Sequence, residues 1–156
     1  MLPFTGGIPG PNVMCTFSPD DTLMLCSGVD THLSQFEVAS GRAFPERFPL
    51  RDPAHRDRYR RSAYMAGGGH FATAATEESH LSVLSVHGRP VASVDLRGLA
   101  FEEPWSSRDD GQMFVQSLRA HPEAPQRLAV LVSPQHSKRS CVVIADLDVP
   151  ELRASL

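Results

Sequence analysis

The segment TLMLCSGVDTHLSQFEVASGRAF, residues 22–44, returns as HFATAATEESHLSVLSVHGRPVA, residues 70–92, at an offset of 48 with one residue adjusted near the glycine. Leu23 falls on Phe71, His32 on His80, Leu33 on Leu81, Ser34 on Ser82, Val38 on Val86, and Gly41-Arg42 on Gly88-Arg89. A weaker third copy, RLAVLVSPQHSKRSCVVIADLDVP at 127–150, sets Ala145-Asp146-Leu147 where Phe36-Glu37-Val38 stand in the first, with a longer hairpin turn. Recurrence at such a period means supersecondary units that bury their apolar faces by stacking on one another.

Within each copy, runs of four to eight residues alternate with Gly, Pro, Ser or Asp, the pattern of antiparallel strands joined by hairpins. Strands are predicted near 12–17, 22–28, 32–38 and 42–48, then 61–66, 70–76, 80–86 and 90–96, then 113–118, 127–132 and 140–147. The runs LMLC, LAVLV and CVVIA are almost continuously apolar, as strands covered on both faces are. Thirteen prolines and eleven glycines spread along 156 residues argue against long helices. Two polar, proline-containing stretches, RDPAHRDRYRR (51–61) and GLAFEEPWSSRDDGQ (98–112), read as connections between sheets.

The first copy, FSPDDTLMLCSGVDTHLSQFEVASG, resembles a WD40 repeat: Phe17-Ser18-Pro19-Asp20 at a turn, Asp30 at the acidic position, Phe36-Glu37 in the Trp-Asp slot, and Ser40-Gly41 closing the unit. The other copies are degenerate, with Leu84-Ser85 and Ala145-Asp146 in that slot. YRRSAYM, GGGHFATAATEESHLSVLSVHGR and MFVQSLRAHP are also similar to the C-terminal part of plant-type transducin/WD40 proteins, some of which carry an F-box. The resemblance implies an all-β partial propeller of about three four-stranded antiparallel blades, at 12–50, 59–97 and 112–150, within one unit spanning 1–156. It implies a protein-interaction scaffold, with a fragment of a ubiquitin-ligase substrate receptor as one form of it. No F-box-like segment is visible in the sequence. Asp30, Phe36, Glu37 and Gly41 take structural roles, although Phe36 lacks the ring N–H of the usual Trp and the loop GGIPGPN offers no His to Asp30.

Closed propellers have four to eight blades, and units of about 40–50 residues allow about three in 156 residues. The expectation is an unclosed arc with an apolar face at each end. Such an arc fits a C-terminal fragment, or a subunit whose protein partner is either the rest of the propeller or a second chain. VVIADLDVPELRASL supplies a third strand to the last unit but little that reads as a fourth.

Candidate chemistry is weighed against a structural role at each position. Asp20 and Asp21 fall in a Ser-Pro-Asp-Asp turn, where carboxylates satisfy local backbone N–H groups. His32 and His80 occupy matching repeat positions, which sheet stacking of about 10 Å keeps apart, so they read as strand starts and not as metal ligands. Gly67-Gly68-Gly69 reads as a tight turn needing positive φ, since neither a G-x-S-x-G elbow nor a P-loop is present. An alternative, a hydrolase, would need His70 to meet Glu77 or Glu78; another is a truncated product without a role of its own. Cys15, Cys26 and Cys141, odd in number and without C-x-x-C spacing, read as buried thiols.

The preferred surface for protein contact is Arg56, Arg58, Tyr59, Arg60 and Arg61 together with Trp105, since Arg, Tyr and Trp anchor interfaces. No enzymatic activity, cofactor or metal is expected. A net charge of −3 gives no reason to expect nucleic acid, and no apolar run approaches the length that crosses a bilayer. The N-terminus has neither a basic n-region nor an apolar h-region, so the expected location is cytoplasmic or nuclear.

Overall fold

In the computed structural model, residues 14–27, 32–44, 48–49, 60–75, 80–96, 113–134 and 140–153 are described. They form three antiparallel sheets, one per repeat. The first runs β1 (Met14–Phe17), β2 (Leu23–Ser27), β3 (His32–Glu37) and β4 (Phe48–Pro49). The second runs β5 (Arg60–Tyr64), β6 (His70–Ala75), β7 (His80–Ser85) and β8 (Pro90–Asp95). The third holds β9 (Met113–Ala120), β10 (Arg127–Pro134) and β11 (Cys141–Asp146), followed by the one-turn helix α1 (Pro150–Arg153).

Turn chemistry sets the ends of these strands. Asp21 has φ 58°, a left-handed conformation that a short polar side chain tolerates, and its N–H donates to Ser18 O at 3.0 Å. Gly68, at φ 72°, closes the β5–β6 turn, while Gly41 and Gly88 at 67° and 82° close the turns after β3 and β7. The backbone repeats its tertiary hydrogen bonds as well. Val38 N–H donates to Thr22 O at 2.9 Å, Val86 N–H to Gly69 O at 3.0 Å, and Leu147 N–H to Gln126 O at 2.8 Å.

Those bonds correct the repeat alignment by one position. Leu23 stands opposite Glu37, His70 opposite Ser85 and Arg127 opposite Asp146, so Leu23 corresponds to His70, and Phe71 to Met24. The offset is 47 for β2 and β6 (70 − 23) and 48 for β3 and β7 (85 − 37), which puts an added residue between the second and third strands. The predicted strand at 42–48 is also corrected: Ala43 makes only an isolated bridge to Phe36, and β4 is a two-residue strand at 48–49. In the third sheet no fourth strand is found among the described residues. The chain turns at Val149 into α1 and buries Leu147 and Leu152 in the core.

The middle sheet is apolar on both faces. Tyr64, Phe71 and Leu84 pack against Leu25 and Leu33 of the first sheet. Ala63, Ala72, Ala74, Leu81 and Val83 pack against Val115, Leu118, Leu128, Val130 and Val132 of the third. Approaches between sheets lie chiefly along β1, β5 and β9, extended to β2 and β6, so the first strands converge and the later ones fan outward. This is the radial order of propeller blades.

The expectation of buried thiols fails for two of the three cysteines. Cys15 and Cys26 are direct partners in the β1–β2 register, 4.2 Å apart at Cα, and form a disulfide. Odd cysteine number and absent C-x-x-C spacing do not reveal such a pair, because cross-strand register brings it together. Cys141 is a half-buried free thiol whose pKa is raised by burial.

Two outcomes test this account. Phe71→Ala removes a fully buried ring that meets Tyr64 edge-to-face at 6.1 Å; urea denaturation should show a loss of about 3–5 kcal/mol. Under oxidising conditions, exposed Cys15→Ser should lose roughly 2–3 kcal/mol through a freer unfolded chain, a difference that a thiol reductant abolishes.

Candidate functional site

Propeller blades offer two kinds of contact surface: the loops that join strands, and the inner edges where first strands converge. The loop residues Arg56, Arg58 and Tyr59, as well as Trp105, lie outside the described residues, as do Asp30, Glu77 and Glu78. Arg60 begins β5, and its side chain is not described. Arg61, its neighbour, is the member of the arginine set whose side chain is placed.

Arg61 reaches the inner edge. Its Nη1 donates to Met14 Sδ on β1, and its Nε is buried without a hydrogen-bond partner. A groove of about 90 Å³ opens there between the first strands of all three sheets. Thr16, Arg61, Ser62, Gln116, Ser117 and Arg119 give it a polar lining, and none of its described lining residues is acidic. Ser62 Oγ donates to Thr73 Oγ1 at 3.0 Å, Gln116 Nε2 to Ser133 Oγ at 3.0 Å, and Arg119 Nη1 to Leu118 O at 3.4 Å. The repeat alignment does not show this groove: it superposes β1, β5 and β9 as equivalents, whereas folding sets them side by side.

Of the residues assigned structural roles, Phe36, Glu37 and Gly41 are described and lie at or just beyond the end of β3. Phe36 is buried with Met24 and Cys26. Glu37 accepts from Ser40 Oγ and lies 3.9 Å from Arg42 Nε, while Gly41 N–H donates to Glu37 O at 2.9 Å. Between the first two sheets a second polar link, besides that of Arg61 to Met14, is Gln35, a residue the repeat pattern does not single out. Its Oε1 accepts from Tyr64 Oη at 3.1 Å and its Nε2 donates to Val86 O at 3.5 Å. Burial, and secondarily the charge of Asp20, pushes the Tyr64 phenol well above its ordinary range.

His70 is 8% exposed. Burial first and Arg89 second hold its pKa below the usual histidine range, with Glu151 acting the other way. The acids required by the hydrolase alternative, Glu77 and Glu78, are not described. His32 and His80 each begin a strand, His80 facing Asp95 across the β7–β8 ladder at 3.8 Å. Asp20 closes its own turn by accepting from Ser18 Oγ at 2.6 Å, Thr22 Oγ1 at 2.8 Å and Thr22 N–H at 3.1 Å.

The third sheet has a bare face. Val142 and Ile144 are 61% and 59% exposed. By register they correspond to Leu33 and Gln35 in the first sheet and to Leu81 and Val83 in the second, all of them buried. No helix among the described residues is long and apolar enough to cross a membrane.

No family model matches the sequence. Over 131 residues, 83% of the chain, it is 30% identical to Protein DWD HYPERSENSITIVE TO UV-B 1 of Arabidopsis thaliana, of which it covers 16%. Among solved structures it is similar to the β-propeller domain of Cps50 (Swd1) from Myceliophteria thermophila, with a TM-score of 0.54, 15% identity, and coverage of 85% of this chain and 39% of that one. A candidate 6-phosphogluconolactonase from Bacteroides fragilis gives 0.53 at 8% identity, covering 86% and 39%. At these identities the two structures speak for the fold alone, and the chain spans well under half the length of each of the three.

Asp20 supplies a pH test. The Ser18 hydroxyl, then the Thr22 N–H and hydroxyl, hold its pKa at about 2, below the ordinary 3.8. A depressed carboxyl stabilises the fold above its unfolded value, and that contribution disappears as pH falls through the folded value. Asp20→Asn should therefore melt at a lower temperature than the parent at neutral pH, with the gap closing from about pH 4 toward about pH 2.

Proposed function

Since this chain is a WD40-type β-propeller protein and a distant homologue of DWD HYPERSENSITIVE TO UV-B 1, we propose that it acts as a non-enzymatic protein-interaction scaffold, one arc of a larger ring. Units 12–50, 59–97 and 112–150 are its blades, and further blades, from the same polypeptide or another, complete it. The observation that carries this reading is the bare face of the third sheet, where Val142 and Ile144 stand exposed at positions the two preceding repeats bury. An apolar sheet face left open marks an association surface. Service as the substrate-receptor part of a ubiquitin ligase is the narrower form of this proposal, and it rests on the family resemblance.

The connection carrying Arg56, Arg58 and Tyr59, with Arg60 and Arg61 at the start of β5 and with Trp105, is the proposed partner-binding surface. Guanidinium and aromatic side chains contribute much of the affinity where they are desolvated at an interface.

Sedimentation of the purified chain tests the open face. The parent should self-associate at tens of micromolar, whereas a Val142→Lys/Ile144→Lys double variant with unchanged circular dichroism should remain monomeric. A parent chain that stays monomeric and binds no apolar dye would remove the ring-completion reading. For the loop surface, photo-crosslinkers placed at Tyr59 and Trp105 in cells should capture one and the same protein, and alanine at Arg56, Arg58 and Tyr59 should weaken its recovery at least roughly tenfold.

A further inference from the structure

We propose that the groove between the first strands binds a carboxylate of an acidic peptide segment, with Arg61 as its principal contact and Arg119 as the second. The inference deepens the scaffold reading and rests on it, by giving the partner a chemical character.

Charge balance is the first argument. Among the described arginines, Arg42 has Glu37, Arg89 has Glu151 and Arg127 has Asp146 within 4 Å. Arg61 and Arg119 have no such carboxylate among the described residues, and both line the groove, where no described residue is acidic. Two arginines lining one groove whose described lining holds no acidic residue favour an incoming anion there.

Hydrogen bonding is the second. Arg61 Nε is buried with no acceptor, an uncommon state for a buried donor and a costly one. Turning the Arg61 guanidinium toward a carboxylate in the groove would give that nitrogen an acceptor and make the paired, charge-assisted contact that this planar fork favours. The hydroxyls of Thr16 and Ser117 border the same space and can donate to the anion.

Size decides between occupants. The groove, at about 90 Å³, exceeds the roughly 10–15 Å³ that one water needs but falls far below the roughly 300–1,000 Å³ of pockets that enclose drug-sized ligands and cofactors. One acidic side chain fits it. The rest of an extended peptide would lie along the converging strand edges outside.

Titration of the purified full chain with acetylated, amidated tetraglutamate, followed by amide chemical shifts, tests the proposal. Shifts should centre on residues 14–16, 61–62 and 116–119, and tetraglutamine should bind at least roughly tenfold more weakly. Arg61→Gln should weaken tetraglutamate binding by at least roughly tenfold and Arg61→Lys by less, because a point charge cannot reproduce the fork. Arg127→Gln should leave binding unchanged. Equal binding of the two peptides, or a folded Arg61→Gln chain that binds as the parent does, overturns the proposal. So do shifts produced by inorganic phosphate but not by tetraglutamate. If tetraglutamate fails while the crosslinked partner still associates, only this inference falls; if both fail, the scaffold reading falls with it.

Discussion

A sheet with apolar side chains on both faces cannot stand at a protein surface, and the second sheet is such a sheet. Phe71 and Leu84 require cover on one side, Ala72, Leu81 and Val83 on the other. Each fully buried leucine or phenylalanine contributes roughly 1.5–3 kcal/mol by leaving water. The neighbouring sheets are thereby fixed face to face, and the arrangement of the rest follows. Small residues suit the third-sheet side, where Ala63, Ala72 and Ala74 admit the bulkier Leu118, Leu128, Val130 and Val132. On the first-sheet side the aromatic rings of Tyr64 and Phe71 fill the gap.

The strands were largely legible in the sequence because local chemistry marks their ends. Asp21, Gly41, Gly68 and Gly88 hold positive φ at four turns, and short apolar runs lie between them. The one-position shift between Leu23 and His70 was not legible: Leu23 and Phe71 are both apolar, and only paired backbone bonds distinguish the two registers. The disulfide escaped for the same reason. Cys15 and Cys26 are separated by 11 positions, a spacing without meaning until β1 and β2 are laid in register.

The candidate site was less legible than the fold, and the reason is geometric. A repeat alignment finds what recurs, whereas the groove is built from dissimilar residues on equivalent strands: Thr16 on β1, Arg61 and Ser62 on β5, Gln116 and Arg119 on β9. The arginine cluster was visible, and so was a strand from position 61, but not that the Arg61 side chain lines a groove shared with the first strands of the neighbouring sheets. Gln35 is a related case. Its repeat equivalents are Val83 and Ile144, and only the stacked sheets show that its amide joins Tyr64 to Val86 O.

Gln35 and Phe36 together show how a degenerate repeat keeps its packing. A tryptophan at position 36 would bring a ring N–H that needs an acceptor once buried; phenylalanine makes no such demand and lies covered against Met24 and Cys26. The polar tie moves one residue back and to the opposite face, because adjacent strand residues point to opposite sides. There Gln35 has both a donor and an acceptor to offer, and it meets the Tyr64 hydroxyl and the Val86 carbonyl of the next sheet. The buried amide thus adds directional bonds to the apolar contact between the first two sheets, and these favour one alignment among those that apolar contact alone would permit. Between the second and third repeats aliphatic packing is joined by the Arg89–Glu151 ion pair at 3.9 Å, so apolar packing and polar contacts act together at both joints.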